Sequence, residues 1–425
     1  MGSVVGAGGG ISGASGIGSI GQYNVLDYGA KTDGTGDVGA VVNTLVTAGA
    51  KTILLPYVAA GYRQVTGINL DNGVKLIAPS GRVEIKKFFN GDQITSPAKS
   101  DYRLEGLKLN GNSGGGYSGN GVYSHISTRG QLIDMEVGGQ ANVGVQNYQG
   151  SGLIVDRLEG TTNGSHMLYF DTHVGANVEN VNINNCGGFG VFGTIGTDRC
   201  TFRNLRGANG TLELITLDGN HNSVDRIWAT ACGDNGATCV GDYNEWTNIH
   251  SYLNQNNGFA INGSHNSVDQ LICWNNNRRS GGSGTFSGLY ILSGFGGFAY
   301  GNNISNATLY DSSGSPTQNG GCTLGANGYN QWVSGATLPA SNYFVYYLNN
   351  AYSADGGSGV MGATPPTHTG GTSVVNGAVT LRHIGTTAVG FHADGNKAVN
   401  MRYFGNKTSA AAVINNATSG TNTGF

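Results

Sequence analysis

Three acids in the middle of the chain, Asp171, Glu213 and Asp218, have the types and spacing for acid–base chemistry on a sugar. Carboxylates about 6.5–9.5 Å apart leave room for a water between acid and base, the separation of an inverting glycosidase. Tyr148, Tyr169 and Phe192 in the same stretch offer rings on which a sugar stacks, and Thr194 and Thr216 add hydroxyls. A rival pair is Glu136 and Glu159, suited to the ~5–5.5 Å of a retaining mechanism. Like charges that close raise one pKa, which suits an acid. Lys108 and Arg206 accompany that pair, so an ordinary surface ion network is the alternative reading. His166 and His173 flank Asp171 and are candidate bases for a β-elimination.

These groupings hold only if the intervening elements are stacked in register. The phrase Gly219-Asn220-His221-Asn222-Ser223-Val224-Asp225 returns as Gly263-Ser264-His265-Asn266-Ser267-Val268-Asp269, and a fainter copy begins midway at Gly241. The period is therefore 22 residues, and an internal repeat outranks other signals. Following it outward gives apolar pairs at i, i+3: Leu104/Leu107, Leu132/Met135, Val155/Leu158, Val178/Val181, Phe202/Leu205, Val224/Ile227, Trp246/Ile249 and Val268/Leu271. Ten residues after each pair lies a second ladder at i, i+2: Val145/Asn147, Leu168/Phe170, Val191/Gly193, Ile215/Leu217, Ala237/Cys239 and Phe259/Ile261, with Leu289/Ile291 displaced by an insertion. Period-2 alternation reads as short strands, and the stripe of a helical solenoid is missing. A turn of 22 to 24 residues with Gly/Asn-rich corners describes one coil of a parallel β-helix, stable only when stacked.

The ladders place the candidates. Gln146, Tyr169, Phe192, Thr216 and Thr238 form one outward column, and Tyr148, Asp171, Thr194 and Asp218 the next. Asp171 and Asp218 are thus two coil steps apart, about 9.6 Å between backbones. Glu213 lies at the turn feeding the Asp218 strand, and Glu136 and Glu159 are one step apart. His221, Tyr243 and His265 stack at a corner beside Asn222, Asn244 and Asn266, which reads as a structural ladder.

Glycine is abundant, 75 of 425 residues, yet the periodic apolar positions argue against disorder. Net charge is −3 without a basic cluster, which disfavours nucleic acid as a partner. The six cysteines have no metal spacing and read as small buried hydrophobes. No apolar run reaches ~18 residues, so no membrane-spanning helix is expected. Met1 to Ile20 lacks the basic and apolar regions of a signal peptide and reads as a flexible or assembly arm, residues 1–21. Residues 22–99 carry a short amphipathic helix, roughly Val38 to Ala48, suited to capping an open solenoid core. Residues 100–330 are the coils, with Asn112 to Asn120 and Asn275 to Phe286 as projecting loops. Residues 331–425 lose the register and read as a separate β-rich module.

Asn24-Val25-Leu26-Asp27-Tyr28-Gly29-Ala30-Lys31-Thr32-Asp33-Gly34, the helix, Leu54-Leu55-Pro56, Gly61-Tyr62-Arg63 and Gly73-Val74-Lys75-Leu76 together resemble the start of the pectate-lyase superfamily β-helix. Polysaccharide-degrading enzymes and phage tailspikes share that opening. Val38 and Gly39 follow Asp37 where the family has further acids, so Asp33 and Asp37 read as turn formers. The resemblance implies an all-β, right-handed, single-stranded parallel β-helix with an N-terminal capping helix and a C-terminal β-rich module. It also implies a polysaccharide partner, a homotrimer assembled through the C-terminal module, and a place on a virion tail or outside a cell. The Asp-Asp and Gly-His-Gly signatures of polygalacturonases, the aspartate cluster of calcium pectate lyases and the Asp-Pro-His-Glu run of alginate epimerases are absent. No metal and no cofactor is expected. The leading expectation is hydrolysis of a bacterial capsular or exopolysaccharide. The alternatives are a polysaccharide lyase acting on a uronate-containing glycan and a receptor-binding β-helix without activity.

Overall fold

Between Gln131 and Trp274 each coil gives one eight-residue strand to a long parallel sheet, and between Val145 and Ile261 one strand of three or four residues to a second, 11-stranded parallel sheet. The structure, a computed structural model, describes residues 21–278 and 286–291 and, beyond them, only short strands between 303 and 415. The expected N-terminal arm and most of the expected C-terminal module therefore lie outside the described residues. Both ladders are in register. Leu132, Val155, Val178, Phe202, Val224, Trp246 and Val268 are successive partners on the long sheet. Val145, Leu168, Val191, Ile215, Ala237, Phe259 and Leu289 are successive partners on the other. All of them are buried, so stacking turns half-apolar strands into one continuous core.

The i, i+3 spacing of the first ladder has a backbone cause. Asp134, Arg157, Asn180, Asn204, Arg226, Asn248 and Gln270 all sit in the left-handed region, with φ between 52° and 57°. One such residue inside each eight-residue strand resets the in–out alternation, so the apolar position that would follow at i+2 comes at i+3. The strand bends at that point, and the bend stacks on itself from coil to coil.

The repeated phrase forms a second corner of the same kind. His221, Tyr243 and His265 are left-handed there, and their rings stack at 5.3 and 4.9 Å with interplanar angles of 7° and 10°. Behind them runs a buried asparagine ladder. Asn244 Oδ1 accepts from Asn222 N at 2.8 Å, and Asn266 Oδ1 accepts from Asn244 N at 2.8 Å. Asn244 Nδ2 donates to the Gly219 carbonyl at 3.0 Å. The glycines of the phrase are there for close approach: a Cβ on Gly241 would stand 1.9 Å from the Gly219 carbonyl oxygen, and one on Gly263 equally close to that of Gly241. Replacing Asn244 by Ala strands the Asn222 N–H and the Gly219 carbonyl inside the wall. The expected loss is about 2–5 kcal/mol, measured as a lowered denaturation midpoint in urea.

At the N-terminal end the helix Val38–Thr47 turns Val38, Val42 and Leu45 onto the core. Asp37 caps it, accepting from Gly39 N at 3.1 Å and from Thr66 Oγ1 at 2.6 Å, and Asp33 accepts from Thr35 N at 2.9 Å. Both carboxylates form turns, as their sequence context predicts. Cys186, Cys200, Cys232, Cys239 and Cys273 are buried, and the first four carry free thiols.

Candidate functional site

Asp171, Thr194 and Asp218 share one outward column on the 11-stranded sheet. Phe170, Gly193 and Leu217 are successive partners, and each of the three polar residues follows one of them. Thr194 N binds the Phe170 carbonyl at 3.0 Å and Asp218 N binds that of Gly193 at 2.8 Å, so the register runs through the three residues. Thr194 Oγ1 donates to Asp171 Oδ1 at 3.1 Å and Thr172 Oγ1 to the same oxygen at 3.0 Å. Two hydroxyls thereby fix one oxygen of Asp171. Asp218 is half-buried, and that burial raises its pKa above the usual carboxylate value.

Tyr148 pairs with Asp171 on the preceding coil, and Tyr169, Phe192, Thr216 and Thr238 fill the neighbouring column. The rings pack on one another: Tyr169 and Phe192 stack at 5.6 Å, and Phe189 and Phe192 at 4.6 Å. Much of their face area is therefore used within the protein, and what they offer a ligand is mainly edges and the open end of the stack. Thr216 Oγ1 is buried without a protein hydrogen-bond partner among the described residues, and its neighbours in the column are Phe192 and Thr238.

Glu213 differs from the other two acids in being 7% exposed. Its Oε1 accepts from Asn235 Nδ2 at 3.0 Å and from Thr238 Oγ1 at 3.2 Å. It also lines a small cavity of about 10 Å³ with Cys186, Cys232 and Leu214. Burial, with the nearby Asp234 charge adding to it, pushes its pKa up to about 7. Glu213 does lie at the turn feeding the Asp218 strand, and its carboxyl is bonded to Asn235 and Thr238 rather than open to solvent.

The histidines separate. His173 is fully buried, the reverse of what a base needs. Thr172, left-handed at φ 55°, resets the alternation after Asp171 and sends His173 inward. Its Nδ1 meets Asn147 Oδ1 at 2.8 Å and its Nε2 accepts from Leu153 N, so both ring nitrogens are engaged, and burial lowers its pKa to about 4. His166 stays on the aromatic face, stacked on Tyr169 at 5.4 Å and Phe189 at 5.3 Å. Its Nδ1 accepts from Phe189 N at 3.0 Å, and burial lowers its pKa. The nitrogen lone pair of the neutral ring is thus already used. Burial first, then the Asp171 charge, raises the Tyr169 phenol, so it stays protonated and is not available as a base near neutral pH.

Glu136 and Glu159 are in register one step apart, as the sequence predicts, but cations stand on them. Arg82 reaches Glu159 at 2.5 Å, Asp134 at 3.2 Å and Glu136 at 3.9 Å, and Lys108 reaches Glu136 at 2.9 Å. This is the surface ion network that the sequence also allowed. Arg206 stands elsewhere, over the Trp228 ring at 4.9 Å, and Trp228 stacks on His250.

Sequence reasoning missed Phe189, Tyr123 and His125. Tyr123 and His125 pair with Gln146 and Tyr148, and His125 packs on Tyr148 at 5.1 Å. Extending the second ladder back one coil, to Val122 and Ser124, places both in the outward columns.

No protein-family model and no curated protein matches the chain. Among solved structures, the A-module of Azotobacter vinelandii mannuronan C-5 epimerase AlgE6 aligns over 93% of this chain and 99% of its own, with TM-score 0.65 and 14% identity. The AlgE4 A-module of the same organism aligns over 71% and 91%, with TM-score 0.62 and 17% identity. The Dettilon tailspike protein aligns over 76% and 66%, with TM-score 0.54 and 15% identity. The fold is the pectate-lyase-like parallel β-helix. The resemblance of residues 22–110 implied that fold, and at these identities the likeness speaks for the fold alone. Among the described residues, no helix is long and apolar enough to cross a membrane.

Proposed function

We propose that the protein binds a polysaccharide along the outward face of the 11-stranded sheet and hydrolyses it, with Asp218 as general acid and Asp171 as general base. The observation that carries this reading is the single column of Asp171, Thr194 and Asp218. Its two-step backbone span of about 9.6 Å is close to the upper limit of about 9.5 Å for inverting carboxyl separations. Burial raises Asp218, which favours the protonated form an acid needs, while two donated hydroxyls orient Asp171 toward a water. The proton on Asp218 passes to the glycosidic oxygen as that bond breaks. Asp171 takes a proton from the water that adds to the anomeric carbon, and the next turnover begins once both have exchanged with solvent. Hydrolysis is favoured over elimination because both nitrogens of His173 and the Nδ1 lone pair of His166 are taken.

The setting we propose is a tailspike-like depolymerase of a bacterial surface polysaccharide, assembled as a trimer and carried on a virion tail or free outside the cell. Incubation with a panel of capsular polysaccharides is expected to release reducing ends from at least one of them, without ultraviolet-absorbing unsaturated products. Unsaturated products would move the reading to a lyase. Tight binding with every polymer left at its original size would make the protein a receptor-binding β-helix. Light scattering of the same sample is expected to give the mass of three chains.

A further inference from the structure

Arg63 and Lys86 face each other on adjacent coils near the N-terminal end of the long sheet. One coil step separates their backbones by about 4.8 Å, and like charges placed directly opposite one another in a sheet repel. Neighbouring cations are neutralised: Lys99 reaches Asp71 at 3.0 Å, Arg103 reaches Glu105 at 2.7 Å and Lys108 reaches Glu136 at 2.9 Å. Arg63 and Lys86 make no ion pair among the described residues. Glu84, on the same strand as Lys86, is held instead by Asn110 Nδ2 at 2.8 Å.

What the two cations share is a ring. The Arg63 guanidinium lies 5.0 Å and Lys86 Nζ 5.6 Å from the centre of Phe88. Tyr117, on the insertion Asn112 to Asn120, meets Phe88 edge to face at 6.0 Å. That geometry leaves at least one face of Tyr117 uncovered by Phe88. All four side chains are half-buried, so they are partly ordered and still reachable.

We infer that Arg63, Lys86, Phe88 and Tyr117 form a subsite for an acidic sugar, with the two cations holding its carboxylate or sulfate and Tyr117 lying against the ring. An anion between the cations converts their repulsion into two charge-assisted hydrogen bonds. The subsite lies on the long sheet, apart from the acid column, and would hold a remote part of the chain. The inference rests on the polysaccharide reading above and adds that the polymer is anionic.

Equilibrium binding tests it without turnover. The probes are polygalacturonate for the carboxylate, dextran sulfate for the sulfate and neutral dextran as the reference. The wild-type protein is expected to bind at least one anionic polymer more tightly than dextran. The double variant Arg63→Gln/Lys86→Gln is expected to lose about tenfold or more of that affinity, with dextran binding unchanged. Lys75→Gln, which removes an exposed charge elsewhere on the sheet, is expected to bind as wild type. The single variants, each expected to lose part of the affinity, carry the test should the double variant fold poorly. Equal binding of anionic and neutral polymers overturns the inference, and so does wild-type affinity in the double variant or an equal loss in Lys75→Gln. Failure of the hydrolysis reading would look different, as retained anion binding with no products.

Discussion

Replacing Asp218 by Asn is expected to cut the release of reducing ends by a factor of about one hundred to ten thousand, the usual contribution of a general acid or base. The melting curve should barely move. Asn is nearly isosteric, and the Asp218 backbone N–H holds its bond to Gly193 whatever the side chain carries. The amide cannot give up a proton to a glycosidic oxygen, so only binding and orientation remain. Asp171→Asn is expected to behave alike. Activity of the wild type should decline on the alkaline side as Asp218 ionises, at a pH above that of an ordinary carboxyl because burial raises it. Full activity in Asp218→Asn, with the fold intact by circular dichroism, would refute the assignment.

The second large effect concerns stability. Burial pushes the Glu213 carboxyl from its ordinary value of 4.5 up to about 7 in the folded protein. A carboxyl raised by folding favours the native state below its unfolded pKa, and that contribution is lost as pH climbs through the folded value. Stability is therefore expected to fall between about pH 4.5 and pH 7 and to level off above, by up to about 3 kcal/mol from this group. Glu213→Gln keeps an oxygen for Asn235 and Thr238 and carries no charge. It should match wild type near pH 4 and exceed it near pH 8, as read from urea midpoints at the two pH values. Because Glu213 is turned away from solvent, its activity should stay within a few-fold of wild type. A folded but inactive Glu213→Gln would instead make Glu213 one of the catalytic pair.

The scaffold was more legible than the site. Apolar residues at fixed steps must meet when coils stack, so both ladders, and with them the shared column of Asp171 and Asp218, follow from counting. Counting assumes that alternation continues, and left-handed residues interrupt it. Thr172 does so just after Asp171, which is why His173 reads as a flanking base and lies in the core. The bend residues carry no warning, since Arg157 and Gln270 hold the same conformation as Asn180. Counting puts Glu213 at the turn feeding the Asp218 strand, but which way a turn side chain points depends on partners such as Asn235 and Thr238, which lie on the next coil.

Because every coil lies in parallel register on the last, distance along the axis is quantised. Two residues in one column can be separated only by whole multiples of about 4.8 Å. Asp171 and Asp218 have one intervening rung, occupied by Thr194. Excising that coil would bring the two acids to a single step, near the spacing of a retaining pair. On such a scaffold, the gain or loss of one coil is also a choice of stereochemistry at the anomeric carbon.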